Sequence, residues 1–280
     1  MAVRIVCDST ADLDDAFRSE HRVDVVPLKV IIGDEVYHDG VDIKPAQVYA
    51  RMRHENVTVR TSQPTPAEFE EVFGAATDDG SAVVCTTISA ELSGTYASAV
   101  QACNALPDRN IRVIDTRTVT VAHYAVVVAA LDAAERGDGL DNVAVATERA
   151  ARSVRFLFTV ETLEYLRRGG RIGGARALMG SMLDIKPILD CSDGRIEATD
   201  RVRTYRRAIE ACADGVVTSA RQWGGARVYV CHADARQAAT MLRERIEAAD
   251  ASTVVTEHEV GPVVGVHGGP GSVGVGFLPA

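Results

Sequence analysis

Short runs rich in β-branched residues alternate with segments of helical periodicity through the first half of the chain, and this alternation constrains the fold more than any other feature. The predicted strands span residues 3–7, 23–30, 82–87 and 111–115. Helical periodicity spans residues 66–76, 93–105, 120–135 and 141–152. Strands and helices that alternate in this way form a parallel sheet covered by helices. We therefore expect residues 1–152 to form an α/β domain with a mainly parallel sheet and flanking helices.

The pattern changes after residue 152. A predicted strand (VRFLFTV), a helix (ETLEYLRR) and a glycine-rich break (GGRIGG) precede two segments, LDIKPIL and RIEATDRVRT, that flank the turn CSDG. Asp-Gly between such segments favours a hairpin. A helix at 205–222, the strand ARVYVCH, a helix at 236–248 and the strands TVVTEHEV, PVVGVH and VGVGF follow. Residues 153–280 are therefore predicted to form an α+β domain with antiparallel pairs.

The composition argues against several kinds of protein. A net charge of −9 and a pI near 5.3 oppose general affinity for nucleic acid or anionic membrane, because both need a positive field. No segment approaches the roughly 18 apolar residues of a membrane span. The opening residues, MAVRIVCDSTADLDD, have the features of neither a signal peptide nor an anchor. We expect a cytoplasmic protein that neither binds nucleic acid nor inserts into a membrane.

The cysteines and histidines do not indicate a metal site. The six cysteines are widely spaced, form no CxxC pair and mostly lie in apolar runs, where a free thiol behaves as a small buried hydrophobe. None of the seven histidines stands at zinc-site spacing from another histidine or a cysteine. We expect structural thiols, no metal and no cofactor.

The segment Asp8-Ser9-Thr10 follows the first predicted strand. In an open α/β sheet the strand ends face the crevice where ligands bind. Asp8 or Ser9 could equally cap the next helix, and capping is the preferred interpretation for Thr10 and Asp12.

The segment TSQPTP, residues 61–66, combines hydroxyls with two prolines. It predicts a stiff loop that suits an anion or a carboxylate. Thr65 and Pro66 are explained as the N-cap and first residue of the following helix. Thr61 and Ser62 have no such structural role and are candidate binding residues.

In the segment ISAELSGTY a predicted strand leads into Ser93-Gly94 at the start of a helix. Backbone N–H groups at a helix N-terminus, together with the Ser93 hydroxyl, form a receptor for one negative group. A role for Ser93 as a simple N-cap is an equal alternative. The surroundings lack the GxSxG pattern of α/β hydrolases, which disfavours a nucleophilic Ser93.

Cationic residues lie on or near glycine-rich segments. Arg171 stands in GGRIGG, and Arg203 follows the predicted hairpin. His267 is predicted on a loop after a strand, where flanking glycines would expose it, so a functional role is favoured. The glycines of this last segment allow tight turns and close backbone approach: Gly261, Gly265, Gly268, Gly269 and Gly271.

Seven segments together resemble the DegV family of bacterial proteins in order and spacing. They are DSTADL, RTSQPTP, ISAELSGTYASA, LEYLRRGGRIGG, DIKPIL, RVRT and GPVVGVHGGPG, and the match covers essentially the whole chain. The resemblance implies two α/β-type domains with a lipid between them.

The resemblance also implies a function. Members of this family bind a long-chain fatty acid, and those that are fatty acid kinase subunits deliver it to an ATP-using partner that forms an acyl phosphate. Four residues would then hold the carboxylate: Thr61, Ser62, Ser93 and Gly94. Three would lie at the phosphorylation mouth: Arg171, Arg203 and His267. The chain would have no catalytic residue of its own.

Three alternatives stay open. A self-sufficient serine hydrolase would use Ser93 and His267, and it would react with fluorophosphonates and turn over esters. A nucleotide or sugar phosphate would bind at GGRIGG, although this segment lacks the GxxxxGK[ST] and GxGxxG patterns. A fatty-acid sensor would bind lipid without a kinase partner.

Overall fold

The computed structural model describes residues 2–54, 58–181, 185–249 and 253–280. The strands are β1 (Val3–Asp8), β2 (Asp24–Val26), β3 (Lys29–Ile32), β4 (Glu35–His38), β5 (Val59–Ser62), β6 (Ala82–Thr87), β7 (Ile111–Asp115), β8 (Arg155–Thr159), β9 (Lys186–Asp190), β10 (Glu197–Val202), β11 (Ala226–His232), β12 (Thr253–Glu259) and β13 (Val273–Pro279). The α-helices are α1 (Asp15–His21), α2 (Pro45–His54), α3 (Pro66–Thr77), α4 (Thr95–Ala105), α5 (Thr120–Glu135), α6 (Leu140–Ser153), α7 (Glu164–Arg168), α8 (Tyr205–Trp223), α9 (Arg236–Ala248) and α10 (Pro262–Gly268). Two 3-10 segments lie at Ser9–Ala11 and Gly173–Ser181.

The N-terminal half is built on a parallel sheet in the order β2-β1-β6-β7. Strand β6 is buried along its whole length because helices cover both faces of the sheet. On one face α3 packs Phe69 and Phe73 against the strands. On the other face α5 and α6 do so with Leu131 and Val143. The prediction of a mainly parallel sheet with flanking helices is confirmed.

The C-terminal half is built on a six-stranded sheet in the order β10-β9-β8-β13-β11-β12. Neighbouring strands are antiparallel except β11 and β12. One face, which includes Val230 and Phe277, packs against α8 and α9. The opposite face, which includes Phe156 and Tyr229, packs towards α5. The antiparallel pairs predicted for this half are confirmed.

The proposed boundary at residue 152 lies in the last turn of α6, between the last strand of the parallel sheet and the first strand of the six-stranded sheet. Elements of the two halves nevertheless pack on each other, because α10 lies against α2, β3 and β5, and α5 lies against β11 and β13. The division into 1–152 and 153–280 stays a proposal.

The prediction of one strand over residues 23–30 is wrong. Strand β2 ends at Val26, and β3 begins at Lys29 in a separate antiparallel sheet of order β4-β3-β5. Pro27 lies between them and interrupts the strand because it has no backbone N–H to donate. The sequence did not reveal this small sheet, since its strands have only four residues each.

The prediction of a strand at PVVGVH is also wrong, because these residues begin helix α10. The three valines favour a strand by propensity. However, Pro262 occupies the first helical turn, and Val263 and Val266, three residues apart, are buried together against the small sheet and α2. Packing outweighs propensity here. His267 therefore lies in the last turn of a helix and not on a loop after a strand.

The six cysteines are free, and all but Cys103 are buried. This confirms the prediction of structural thiols. Within the described ranges, no helix has the length and apolar content that a bilayer span requires.

Candidate functional site

A cavity of about 220 Å³ lies where the six-stranded sheet meets α10, the start of α5 and the turn before α4. Most of its wall is apolar, and both halves of the chain contribute to it. The apolar lining residues are Leu28, Ile88, Leu92, Val119, Phe156, Phe158, Ile196, Ala233, Val260, Val263, Val264 and Val273. Five of the seven site residues predicted from the sequence also line it: Thr61, Ser62, Ser93, Arg171 and His267. We call these five the polar cluster.

Thr61 and His267 are in direct contact within the polar cluster. The Thr61 Oγ1 atom lies 2.7 Å from Nε2 of His267. Thr61 and Ser62 were predicted on a stiff loop, but both lie in β5, where they pair with β3. Neighbouring strand residues point to opposite faces. Thr61 accordingly faces α10, while Ser62 is exposed at the rim of the cavity.

The protonation state of His267 determines what Thr61 can donate. Burial, together with the nearby Arg171 guanidinium, lowers the pKa of the His267 imidazole to about 4, so the ring is neutral at pH 7. Nδ1 has no hydrogen-bond partner among the described residues and lies against Gly169, where a methyl group would overlap it. A buried N–H without an acceptor is rarer than an unpaired acceptor. We therefore assign the proton to Nε2, which donates to Thr61 and leaves the Thr61 hydroxyl proton free for another acceptor.

Ser93 lies on a turn that Ser89 holds in place. The Ser89 carbonyl accepts hydrogen bonds from the N–H groups of Leu92 and Ser93, at 3.0 and 3.1 Å. The buried Ser89 hydroxyl donates to the Gly194 carbonyl on the β9–β10 hairpin at 2.7 Å. The position of Ser93 is thus set by contacts from both halves of the chain.

Helix α4 begins at Thr95 with Gly94 as its N-cap, so Ser93 is not the N-cap residue and the predicted start at 93 is too early. The Ser93 hydroxyl lies 2.9 Å from Oγ1 of Thr95 and accepts the Thr95 N–H at 3.3 Å. A methyl group on Gly94 would overlap the amide of Gln63. Glycine at 94 therefore lets the chain that follows Thr61 approach the start of α4 beside Ser93.

Of the two predicted arginines, Arg171 lines the cavity and Arg203 does not. Arg171 donates from Nε to the Leu92 carbonyl at 3.0 Å and from Nη1 to the Gly169 carbonyl at 2.7 Å. Its guanidinium is thereby fixed between the turn that carries Ser93 and the segment against His267. Arg203 is exposed in the turn between β10 and α8 and is not among the residues that line the cavity.

Asp8-Ser9-Thr10 supports the site without lining the cavity. The buried Asp8 carboxylate caps the 3-10 segment by accepting the N–H and hydroxyl of Thr10, at 2.9 and 2.6 Å, which agrees with the capping interpretation. It also accepts the N–H of Ile88 at 2.6 Å. Because Ile88 lines the cavity, this hydrogen bond lets Asp8 hold part of the cavity wall in position without lining the cavity itself.

Two further carboxylates hold the start of α10. Asp12 accepts the Gly261 N–H at 3.0 Å and the Thr120 hydroxyl at 2.5 Å, and it does not cap the next helix as expected, because Asp14 does. Asp39 accepts the Ser9 hydroxyl at 2.7 Å and a backbone hydrogen bond from Val263 in α10. Burial raises the pKa of Asp12, and it raises the pKa of Asp39 to about 7 against the opposing hydrogen bond from Ser9.

Several lining residues were not predicted from the sequence. Phe156 and Phe158 alternate along RFLFT, which indicates that they share one face of β8. The glycines of VGVGF alternate with valines, which indicates a strand face without side chains. Neither signal tells which face borders a cavity, because that depends on what packs opposite.

An α/β fold with a largely apolar cavity and a few convergent polar groups is typical of proteins that bind small molecules. The model of the DegV family of uncharacterised proteins matches residues 2–280. A DegV domain-containing protein of Streptomyces coelicolor is 38% identical over 277 residues, which cover 98% of this chain and 97% of the relative. This chain belongs to the DegV family.

Solved structures with the same fold have been described as fatty-acid-binding proteins. A fatty-acid-binding DegV family protein of Thermus thermophilus is 34% identical and has a TM-score of 0.95 over 100% of both chains. A stearic-acid-binding protein of Eubacterium ventriosum is 28% identical and has a TM-score of 0.91 over 99% of this chain and 98% of that one.

Proposed function

We propose that this chain binds one long-chain fatty acid, with the acyl tail in the cavity and the carboxylate at Thr61, Ser62, Ser93 and Gly94. The observation that carries the proposal is the composition of the cavity wall, which is mostly apolar and includes the polar cluster, in which Thr61 contacts His267. The fatty-acid-binding relatives of the same fold support it.

The apolar wall suits the tail. Each buried methylene contributes roughly 0.8 kcal/mol, so a long chain is held tightly without any charged contact. The atoms that line an empty apolar cavity lack contact partners, and an acyl chain supplies them.

The polar cluster suits the carboxylate. An ionised carboxylate that leaves water needs several donors. Thr61, with its proton free, the Ser93 hydroxyl and the N–H groups at the start of α4 are neutral donors, and hydrogen bonds to an ionised acceptor are stronger than those between neutral groups. Arg171 adds a fixed positive charge beside them.

Lipid analysis of the purified chain tests this proposal. Freshly purified protein is denatured and extracted, and the extract is analysed by mass spectrometry. We expect about one fatty acid per chain. Absence of fatty acid in the extract, together with no binding of added palmitate or oleate, would refute the proposal.

We further propose that the chain is a cytoplasmic substrate-presenting subunit, which offers the carboxylate to a separate ATP-dependent fatty acid kinase. Transfer of a phosphoryl group to a carboxylate brings two anions together, and their repulsion must be relieved. Arg171 borders the cavity with its positive charge beside the neutral His267, and the exposed Arg203 is available to a partner. In this proposal catalysis belongs to the partner, and this chain contributes binding and charge.

The geometry gives no support to a serine hydrolase. A hydrolytic serine needs a histidine base that is itself oriented by a third group. Among the described residues no hydrogen bond joins Ser93 to His267, whose Nε2 contacts Thr61 and whose Nδ1 has no partner. A fatty-acid sensor would use the same cavity, and only an assay with a kinase separates it from the presenting subunit.

A further inference from the structure

The face of the six-stranded sheet towards the cavity is organised in rows of paired residues on β8, β13 and β11. Cys231 pairs with Gly274, which pairs with Phe158. Two residues further along β13, Gly276 pairs with Tyr229 and Phe156. Two residues of strand span about 7 Å, so these rows are successive levels along the cavity wall.

The row at Ser272 lies beside the polar cluster. The Ser272 hydroxyl donates to the carbonyls of Gly268 and Gly269 at the end of α10, at 2.7 and 2.8 Å, directly after His267. Ser272 lines the cavity, and so does its cross-strand neighbour Ala233, whose N–H donates to the Ser272 carbonyl at 2.9 Å. The cavity therefore runs along β13 from Ser272 inwards.

The row at Gly276 closes the cavity. A Cβ on Gly276 would lie 2.8 Å from the Ala122 backbone nitrogen and 2.9 Å from the Val121 carbonyl carbon. Helix α5 thus rests directly on the backbone of β13 and leaves no room for an acyl chain. Gly276 does not line the cavity, whereas Gly274 does. The cavity ends between these two glycines.

Gly274 and Cys231 form the floor at that end. A Cβ on Gly274 would lie 2.9 Å from Cε2 of Phe156 and 2.9 Å from Cβ of Phe158, so glycine is what lets the two stacked rings lie over β13. Cys231 is 2% exposed and lines the cavity beside Gly274. Its thiol and the Phe158 ring are the side chains that line the cavity at this row.

We propose that Gly274 and Cys231 set the longest acyl chain that the cavity accepts. The inference rests on the proposed function and adds the residues that meet the methyl end of the tail. Alanine at 274 adds a methyl group to the floor and displaces the phenylalanine rings. Alanine at 231 removes the sulfur atom and deepens the floor. The two substitutions should therefore shift the length limit in opposite directions.

Saturated fatty acids of increasing length, measured against delipidated protein, test the proposal. In the wild-type chain we expect affinity to rise about fourfold per added methylene up to a limiting length and then to fall. Cys231→Ala should move the limit to a longer acid, and Gly274→Ala should move it to a shorter one. Cys212→Ala is the matched control, because Cys212 is 1% exposed in the core on the other face of the sheet.

The outcomes separate this inference from the proposed function. Opposite shifts with an unchanged limit in Cys212→Ala support it. Normal fatty acid binding with the wild-type limit in Cys231→Ala overturns it and leaves the proposed function intact, and this variant decides the question if Gly274→Ala does not fold. A wild-type chain that binds no acid of any length overturns the proposed function and the inference with it.

Discussion

The hydroxyl of Thr61, in a strand of the N-terminal half, lies 2.7 Å from Nε2 of His267, in the last helix before the final strand. The two residues are 206 positions apart in the sequence, and their hydrogen bond orients the hydroxyl at the edge of a largely apolar cavity. With the imidazole neutral and its proton on Nε2, Thr61 can donate its own proton to a bound carboxylate.

The first prediction concerns the donors. Loss of one hydroxyl donor to a buried carboxylate costs roughly 1.5 to 3 kcal/mol, which is about tenfold or more in affinity. Thr61→Val and Ser93→Ala should each weaken fatty acid binding to this extent and keep the fold. Binding is measured by titration of delipidated protein, with circular dichroism to check folding. If both variants bind fatty acid with unchanged affinity, the carboxylate does not bind at Thr61 and Ser93.

A second prediction tests the position of the imidazole without changing His267. Gly169→Ala should push the ring away from Thr61, because the new methyl group would overlap Nδ1. We expect about a tenfold loss of affinity, since Thr61 loses its partner and its orientation. Gly74→Ala is the control: Gly74 lies in α3, and a Cβ there meets nothing within 4 Å. Equal affinity of the two variants would contradict the assignment.

A substitution at Arg203 distinguishes fatty acid binding from presentation of the fatty acid to a kinase. It lies outside the cavity lining, so Arg203→Ala should keep full fatty acid occupancy. Acyl-phosphate formation with a cognate kinase and ATP should fall about a hundredfold, as expected when charge stabilisation of phosphoryl transfer is lost. Arg203→Lys should restore it only in part, because the planar fork is absent.

Arg221→Ala, at an exposed position near the end of α8, controls for the loss of a surface charge. Lipid occupancy is measured in every variant. Full turnover by Arg203→Ala would remove this residue from the phosphorylation mouth.

The buried Asp39 predicts a pH dependence of stability. Burial raises the pKa of Asp39 from 3.8 to about 7 in the folded chain. Between about pH 4 and 7 the folded state therefore holds a proton that the unfolded state has released, so this contribution to stability is full below pH 4 and is lost as the pH rises through 7. Its slope is at most about 1.4 kcal/mol per pH unit.

Asp39→Asn removes this titration and should gain stability relative to the wild-type chain as the pH rises from 5 to 8. Urea unfolding at the two pH values measures the difference, with the exposed Asp34→Asn as control. A difference between Asp39→Asn and wild type that does not change with pH would show that Asp39 is ionised throughout.

Much of the architecture was predictable because periodicity is a local property. Strands β1, β6 and β7, the long helices α5, α6, α8 and α9, and the β9–β10 hairpin follow from the spacing of apolar residues and from turn residues. The N-cap role of Thr65 was predicted as well, and the structure adds the reciprocal bond, in which the Glu68 carboxylate accepts the Thr65 N–H. The small sheet that carries Thr61 was missed, since four-residue strands have too little pattern to recognise.

The sequence by itself determined the chemistry that is available: hydroxyls at 61, 62 and 93, arginines at 171 and 203, an imidazole at 267, and apolar strands that can line a cavity. Only the tertiary structure decided which of these meet. The valine-rich segment folds into α10, and this brings His267 to Thr61. Arg171 is held by its hydrogen bond to the Leu92 carbonyl, and Arg203 lies outside the cavity lining. The physical reason is that residue type and periodicity are set by neighbours along the chain, whereas contacts between distant segments depend on strand order and on which faces pack together.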